Sequence, residues 1–277
     1  MKAAGDARPI GIFDSGIGGL SVWQAIVDQL PNESTVYVAD QAHVPYGPRL
    51  PNEILTLALR VTAFLTEAHD CKLIVVACNS ASAAALQHLR RAYPDVPFVG
   101  MEPAIKPAAA LSLRRVAGVL ATPATLSGEL YRSTVARHAQ DMRIIAEGCP
   151  GLVDAIEGCA DAGTLNAMLE AFVAPSRAAG ADVMVMACTH YPLIKTLIAP
   201  LCGAHMRLID PSPAVARQTA RLLTQHALAA GDSAQPQHQF FTTAASVAHF
   251  EAPASHWLGQ KIPAQRLTEE MESAITR

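Results

Sequence analysis

Ile74-Val75-Val76-Ala77-Cys78-Asn79-Ser80 runs an apolar strand into a cysteine and on into small polar residues, and Met184-Val185-Met186-Ala187-Cys188-Thr189-His190 does the same further down the chain. Each is followed by a segment that reads as helix. A thiol where a strand ends and a helix begins sits among backbone N–H groups at the positive end of the helix dipole, a setting that favours thiolate. Two such thiols from two similar halves predict a cleft with an acid/base on either side. That arrangement suits a reaction in which a proton leaves one face of a carbon and returns on the other.

Around these two stretches, short apolar strands alternate with helical segments. Strands are predicted over Arg8–Phe13, Ser34–Ala39, Lys72–Ala77 and Val96–Val99, with helices over Leu20–Leu30, Asn52–Ala68 and Ala81–Tyr93 between them. The pattern then repeats: strands over Val116–Ala121, Met142–Ala146 and Asp182–Ala187, helices over Thr125–Ala139, Leu152–Cys159 and Leu165–Ala178. A strand at Leu208–Asp210, a helix over Pro213–Ala229, a linker-like Gly231–Pro236 and a strand at Gln239–Thr243 follow, and the remainder reads as irregular structure with short helix. Such alternation predicts an α/β protein with parallel sheets covered on both faces. In open parallel sheets ligands bind beyond the carboxyl ends of the strands, where Asp14-Ser15, Tyr46-Gly47, Cys78-Asn79-Ser80 and Cys188-Thr189-His190 all fall.

A chain of 277 residues holds one large domain or two of ordinary size. Hydrophobic residues at 51% against 16% charged describe a well-cored globular protein rather than a disordered one. A net charge of −3 gives no basic footprint for nucleic acid, and Arg90-Arg91 and Arg114-Arg115 read as solvated faces. No apolar run reaches the roughly 18–20 residues of a membrane span, and Asp6 and Pro9 interrupt the stretch where a signal peptide would be apolar. The expected compartment is the cytoplasm. Six cysteines are too sparse for a disulfide scaffold, so free thiols are expected, and Cys71, Cys149, Cys159 and Cys202 lack the strand–Cys–polar pattern and read as structural.

Other chemistries fit less well. Asp14-Ser15-Gly16-Ile17-Gly18-Gly19 superficially resembles a phosphate cradle, but no Lys-Ser/Thr follows and Ser21 stands where a dinucleotide fingerprint needs its last glycine. The plainer readings are a tight strand-to-helix turn, or Asp14 and Ser15 aimed at a small polar ligand, with Asp14 favouring a proton on a nearby thiol. No second Cys-x-His or Cys-x-x-Cys pair completes a zinc site with Cys188 and His190, so no metal is expected. A Cys–His hydrolase would leave Cys78 without a role. Lysine is scarce and absent from these loops, so no pyridoxal site, and no cofactor, is expected. Ser15, Asn79, Ser80, Thr189 and the Gly47 backbone supply donors suited to carboxylates, as an amino-acid substrate requires.

Gly11–Val22, Ala39–Gly47, Val76–Ala83 and Met186–Leu193 closely resemble bacterial glutamate racemases. The likeness extends through Gly118–Thr125, Cys149–Glu157, Ile209-Asp210-Pro211 and Phe240–Thr243, nearly the whole chain. It implies a cofactor-independent racemase of two similar doubly wound α/β domains with central parallel sheets and the active site in the cleft between them. Residues 1–100 with 209–277 would form the first domain and 101–208 the second. By motif match, Cys78 would handle the proton of D-glutamate with Asp14 assisting, and Cys188 that of L-glutamate with His190 assisting. Glu157 matches a family glutamate near the second cysteine. Asp14, Ser15, Pro45, Tyr46, Gly47, Asn79, Ser80, Thr125, Thr189 and His190 match substrate-binding positions. The product, D-glutamate, would supply peptidoglycan.

Two departures stand out. Ser80 replaces the usual threonine, keeping the hydroxyl, and Gln41-Ala42-His43 stands where relatives more often carry Thr-Ala-Arg. The related aspartate racemases usually place Thr-Glu after the second cysteine, whereas Thr189-His190 here favours glutamate. Racemisation of aspartate or a similar acid, and a non-catalytic amino-acid-binding protein, are the competing expectations. Some relatives pair as homodimers, respond to a cell-wall-precursor activator or bind DNA gyrase.

Overall fold

A computed structural model of the protein describes residues 5–232 and 234–267, which places residue 233 of the linker-like stretch and the segment 268–277 outside the described residues. The first half runs β1 (Ile10–Asp14), α1 (Leu20–Gln29), β2 (Thr35–Ala39), α2 (Pro51–Ala63), β3 (Leu73–Val76), α3 (Asn79–Ala92) and β4 (Phe98–Gly100). There follow α4 (Ile105–Leu111), β5 (Val116–Ala121), α5 (Pro123–Ser127), α6 (Glu129–His138), β6 (Arg143–Glu147), α7 (Leu152–Glu157), α8 (Ala162–Ala178), β7 (Val183–Ala187), α9 (Lys195–Cys202) and β8 (Arg207–Ile209). The chain then adds α10 (Ser212–Gln225), β9 (His238–Thr242), α11 (Ala248–Leu258) and β10 (Gln265–Arg266).

These strands form two sheets, in the orders β10-β9-β2-β1-β3-β4 and β6-β5-β7-β8, with every pairing parallel. The larger sheet draws strands from both ends of the chain, the smaller one only from β5–β8. Strands β1, β2, β3 and β7 are buried along their whole length, which is why they read as continuous apolar runs rather than alternating ones. Helices cover both faces. One apolar cluster runs across the two halves, holding Ile12 and Trp23 together with Leu152, Met186 and Ile198. The opposite faces have clusters of their own, around Phe13, Phe64 and Ile74 in one sheet and Ala117, Val119 and Val185 in the other.

Several elements differ from the sequence expectation for identifiable reasons. The helix expected over Thr125–Ala139 is two, because Gly128 takes an extended conformation (φ −70°, ψ 145°) between α5 and α6. Tyr191–Ile194, carrying Pro192, forms one tight turn before α9 begins, so the helix after Cys188 starts later than the one after Cys78. The expected helix Asn52–Ala68 ends in a wide turn over Phe64–Ala68. Helix α4, with Pro107 in its first turn, and α11 and β10 near the end of the chain add to what the pattern indicated.

The strand orders place the chemistry. β1 lies between β2 and β3, and β5 between β6 and β7, so each sheet reverses its winding at that strand. The crevice beyond a reversal is where open α/β sheets bind ligands. Phe13 pairs with Val76, so continuing the register two residues sets Ser15 beside Cys78. Ala121 pairs with Ala187, so one further step sets Thr122 beside Cys188. The two crevices face each other.

Candidate active site

Cys78 caps the N-terminus of α3, its Sγ accepting a hydrogen bond from the Ala81 N–H at 3.5 Å. It belongs to a narrow cleft whose walls come from both halves. The first half supplies Ser15, Pro45, Tyr46, Gly47, Cys78, Asn79 and Ser80, and the second supplies Thr122, Val153, Cys188, Thr189 and His190. Both thiols are buried, Cys78 at 5% and Cys188 at 6% exposure. All six cysteines are free thiols. Among the described residues no group of three or more His, Cys, Asp or Glu is arranged to hold a metal ion. No helix among them is long and apolar enough to cross a membrane.

The two thiols have different neighbours. Asp14 ends β1 fully buried; its Oδ2 accepts from the Gly19 N–H (2.6 Å) and from Thr189 Oγ1 (3.1 Å), a residue of the other half. Burial pushes the Asp14 carboxyl up, against the pull of the His190 charge. Burial, then the Asp14 charge, push the Cys78 thiol well above its usual range. On the other side, Cys188 Sγ lies 3.8 Å from His190 Nδ1, and His190 Nε2 lies 2.6 Å from Glu157 Oε1. Burial alone would lower the His190 pKa, but its contacts with Cys188 and Glu157 raise it well above the ordinary imidazole value. Burial works against the Glu157 carboxylate too, yet the His190 hydrogen bond, the Ile17 N–H and Gln41 bring it below the usual carboxylate range. The outcome is a buried imidazolium–carboxylate pair behind Cys188 and, at Cys78, a thiol and a carboxyl both pushed up by burial.

Burial alone does not distinguish Cys78, since Cys71 and Cys149 are pushed up to about 12 by burial as well. Place distinguishes it. Those two belong to the apolar clusters without facing the cleft, whereas Cys78 and Cys188 stand at its two walls.

The glycines of the Asp14–Gly19 turn serve the second cysteine's partners rather than a phosphate. A Cβ on Gly18 would collide with the His190 ring, and one on Gly16 with the Glu157 carboxylate. Tyr37 donates its hydroxyl proton to the Gly16 carbonyl (2.7 Å), holding the turn against β2.

The polar lining has a clear order. Asn79 lines the cleft, and both atoms of its buried amide lack a hydrogen-bond partner among the described residues, an unusual state for a buried donor and acceptor. Ser80 Oγ meets Thr122 Oγ1 at 3.0 Å, joining the halves at the cleft floor. Thr125 is packed behind Thr122, 3.0 Å from its hydroxyl, and is not part of the lining. Tyr46 is fixed by donating to Asp40 Oδ2 (2.6 Å), and Thr243 Oγ1 donates to Asp40 Oδ1 (2.8 Å). His43 Nδ1 sits 2.9 Å from the same Oδ1, on the outer side of the loop rather than in the cleft. Asp14 and Glu157 stand behind their partners, outside the lining itself. Thr122, Val153 and Asp40 carry no signal in the sequence as site residues, and Gln41 stands out there only as a departure from the usual threonine. Thr122 lies in the same Gly118–Thr125 stretch that drew attention to Thr125.

The sequence model of the Asp/Glu/Hydantoin racemase family matches residues 10–219. The glutamate racemase of Roseiflexus sp. (strain RS-1) is 47% identical over 223 residues, covering 80% of this chain and 82% of its own. The crystal structure of a glutamate racemase isoform from Bacillus anthracis superposes with a TM-score of 0.85 at 30% identity, covering 95% of this chain and 98% of that one. That of Escherichia coli glutamate racemase in complex with L-glutamate and the activator UDP-MurNAc-ala gives 0.79 at 29% identity, covering 94% and 97%. With two opposed thiols between two parallel sheets, and a match of this extent in sequence and fold, the chain belongs to the Asp/Glu/hydantoin racemase family, among its glutamate racemases.

Proposed function

We propose that the chain interconverts L- and D-glutamate by passing one proton in and one proton out at Cα, with Cys188 serving the L face and Cys78 the D face. The observation that carries this reading is the pair of thiols on opposite walls of one cleft, each backed by a different ionisable partner. For L-glutamate, Cys188 as thiolate beside the His190 imidazolium removes the Cα proton. Cys78, kept as a thiol by burial and by Asp14, delivers its proton to the opposite face. The carbanionic carbon exists only between those two transfers, so the donors must be in place beforehand. For D-glutamate the roles reverse. The thiols return to their starting protonation by exchange with water or by the reverse turnover.

The unpartnered Asn79 amide is suited to both ends of an amino acid, its N–H accepting partner being a carboxylate and its carbonyl an acceptor for the ammonium. Ser15, Ser80, Thr189 and the Pro45-Tyr46-Gly47 loop complete the polar wall, with Thr122 added and Thr125 holding it from behind. We divide the chain into residues 1–100 with 209–277, and 101–208, one unit for each thiol. The reaction needs no cofactor on this reading. D-Glutamate for peptidoglycan is its product, the cytoplasm its compartment, and a cell-wall precursor a second ligand by likeness to the Escherichia coli protein.

The test is incubation of the purified protein with L-glutamate and no added cofactor, followed by chiral analysis. D-Glutamate is expected to accumulate until the two enantiomers are equal. Cys78→Ser and Cys188→Ser are each expected to lower kcat by about 10²–10⁴-fold, the usual worth of one general acid/base. Full activity in either variant would refute the two-thiol assignment.

A further inference from the structure

We propose that Gln41 is a positioning residue for the Cys188 side of the reaction, holding Glu157 in the orientation that keeps His190 against the thiol. The inference rests on the two-thiol reading above. Gln41 is half-buried and opens the turn after β2, in the first half of the chain. Its side chain reaches across to the second half, where Nε2 donates to Glu157 Oε2 at 2.9 Å. The same nitrogen donates to the His249 carbonyl at 3.1 Å, and Oε1 accepts from Thr242 Oγ1 at 3.0 Å.

The hydrogen-bond directions in this chain are fixed by what each group can do. Thr242 Oγ1 accepts from the Ala244 N–H (3.1 Å) and has its one proton to give to Gln41 Oε1, while the Glu157 carboxylate and the His249 carbonyl only accept. The amide then has a single orientation, with its NH₂ facing two acceptors, the Glu157 carboxylate and the His249 carbonyl. Neither acceptor can donate, so the flipped amide would set oxygen against oxygen. Glu157 is therefore met by a preset donor rather than an adaptable one.

Glu157 depends on that donor for half of its restraint. Oε1 is occupied by His190 Nε2 (2.6 Å) and the Ile17 N–H (2.8 Å). Gln41 is the partner of Oε2 among the described residues. Beyond it lies a surface cavity that Gln41, Glu157, Cys159 and His249 line. With Gln41 removed, Oε2 would face that cavity and the carboxylate plane would be free to turn about the Oε1 contacts. His190 would then lose the fixed geometry that puts Nδ1 beside Cys188 Sγ. On the Cys78 side the Asp14 carboxyl takes its hydrogen bonds from Gly19 and Thr189, with none from Gln41. The influence of Gln41 should accordingly be one-sided.

Overall racemisation hides a one-sided effect, because enantiomers have equal free energy and kcat/KM must fall equally in both directions. The half-reactions expose it. Elimination of a leaving group from a β-substituted glutamate analogue needs one base, so Cys78→Ser reports on Cys188 and Cys188→Ser reports on Cys78. Gln41→Leu, close in volume and without donors, is added to each background and the elimination rates compared with the matching single variants. Elimination through Cys188 is expected to drop by about 10- to 100-fold, the scale of a reacting group displaced by a fraction of an ångström to one ångström. Elimination through Cys78 is expected to change much less, and it doubles as the check that the double variants are folded. Equal slowing through both thiols would assign Gln41 a merely structural role and overturn the proposal. No slowing through Cys188 would overturn it as well. Absence of elimination in both single-cysteine variants would overturn the two-thiol reading itself, and the proposal with it.

Discussion

His190 is the residue on which the asymmetry of the site turns. Its imidazole is fully enclosed, and without partners burial would keep it neutral; Cys188 and Glu157 reverse that preference. Replacing Glu157 by glutamine removes the anion that favours the imidazolium, so the His190 pKa must fall. The alkaline limb of the kcat/KM profile, where His190 loses its proton, is therefore predicted to move to lower pH in Glu157→Gln. A pH–rate series on both proteins checks the sign, and an unmoved limb would contradict the role given to the pair. Cys78, Cys188, Asp14 and His190 were legible because each stands at a strand end beside small polar residues. Gln41 and Asp40 were not. Glu157, the partner of Gln41, and Thr243, which joins Tyr46 and His43 at Asp40, lie far away in sequence, and only the folded chain brings them within hydrogen-bond distance.

Among the elements, the turn between β1 and α1 does the most for its length. Its glycines are explained by close approach, not by a phosphate ligand: the His190 ring rests where a Gly18 side chain would be. Gly18→Ala is predicted to leave the protein folded and to lower kcat by about 100-fold, because His190 must shift to admit the methyl group. Circular dichroism and the racemisation rate together check this; a wild-type rate would mean that His190 tolerates displacement. Strands were the most readable elements, since burial on both faces makes them unbroken apolar runs bounded by polar residues. Helix starts and stops were less so. Gly128 divides one periodic stretch into two helices, and Pro192 delays the helix after Cys188, both through backbone preferences that side-chain periodicity does not register.

At the scale of the molecule, parallel class and covered faces followed from alternation, whereas strand order did not, because buried strands of similar composition can pair in several orders. The order decides the function: β1 and β5 as reversal points bring four strand ends together. The opposite end of the larger sheet is fastened by a buried ion pair, Lys72 Nζ to Glu33 Oε2 at 2.6 Å. Lys72 also donates to the Asp6 carbonyl (2.6 Å), and Glu33 Oε1 accepts from the Ala230 N–H (2.8 Å), so four separated segments meet there. Lys72→Met would leave Glu33 buried and uncompensated and is predicted to cost about 3–5 kcal/mol, measurable by urea unfolding; an unchanged midpoint would show that water reaches Glu33. The central claim is that two different thiols serve the two faces of Cα. Its most direct test is to follow L-glutamate in D2O at low conversion and measure deuterium separately in each enantiomer. Newly formed D-glutamate is expected to carry solvent deuterium at Cα while unreacted L-glutamate keeps its protium. Substrate protium carried into the product, or deuterium entering both enantiomers together from the start, would contradict it.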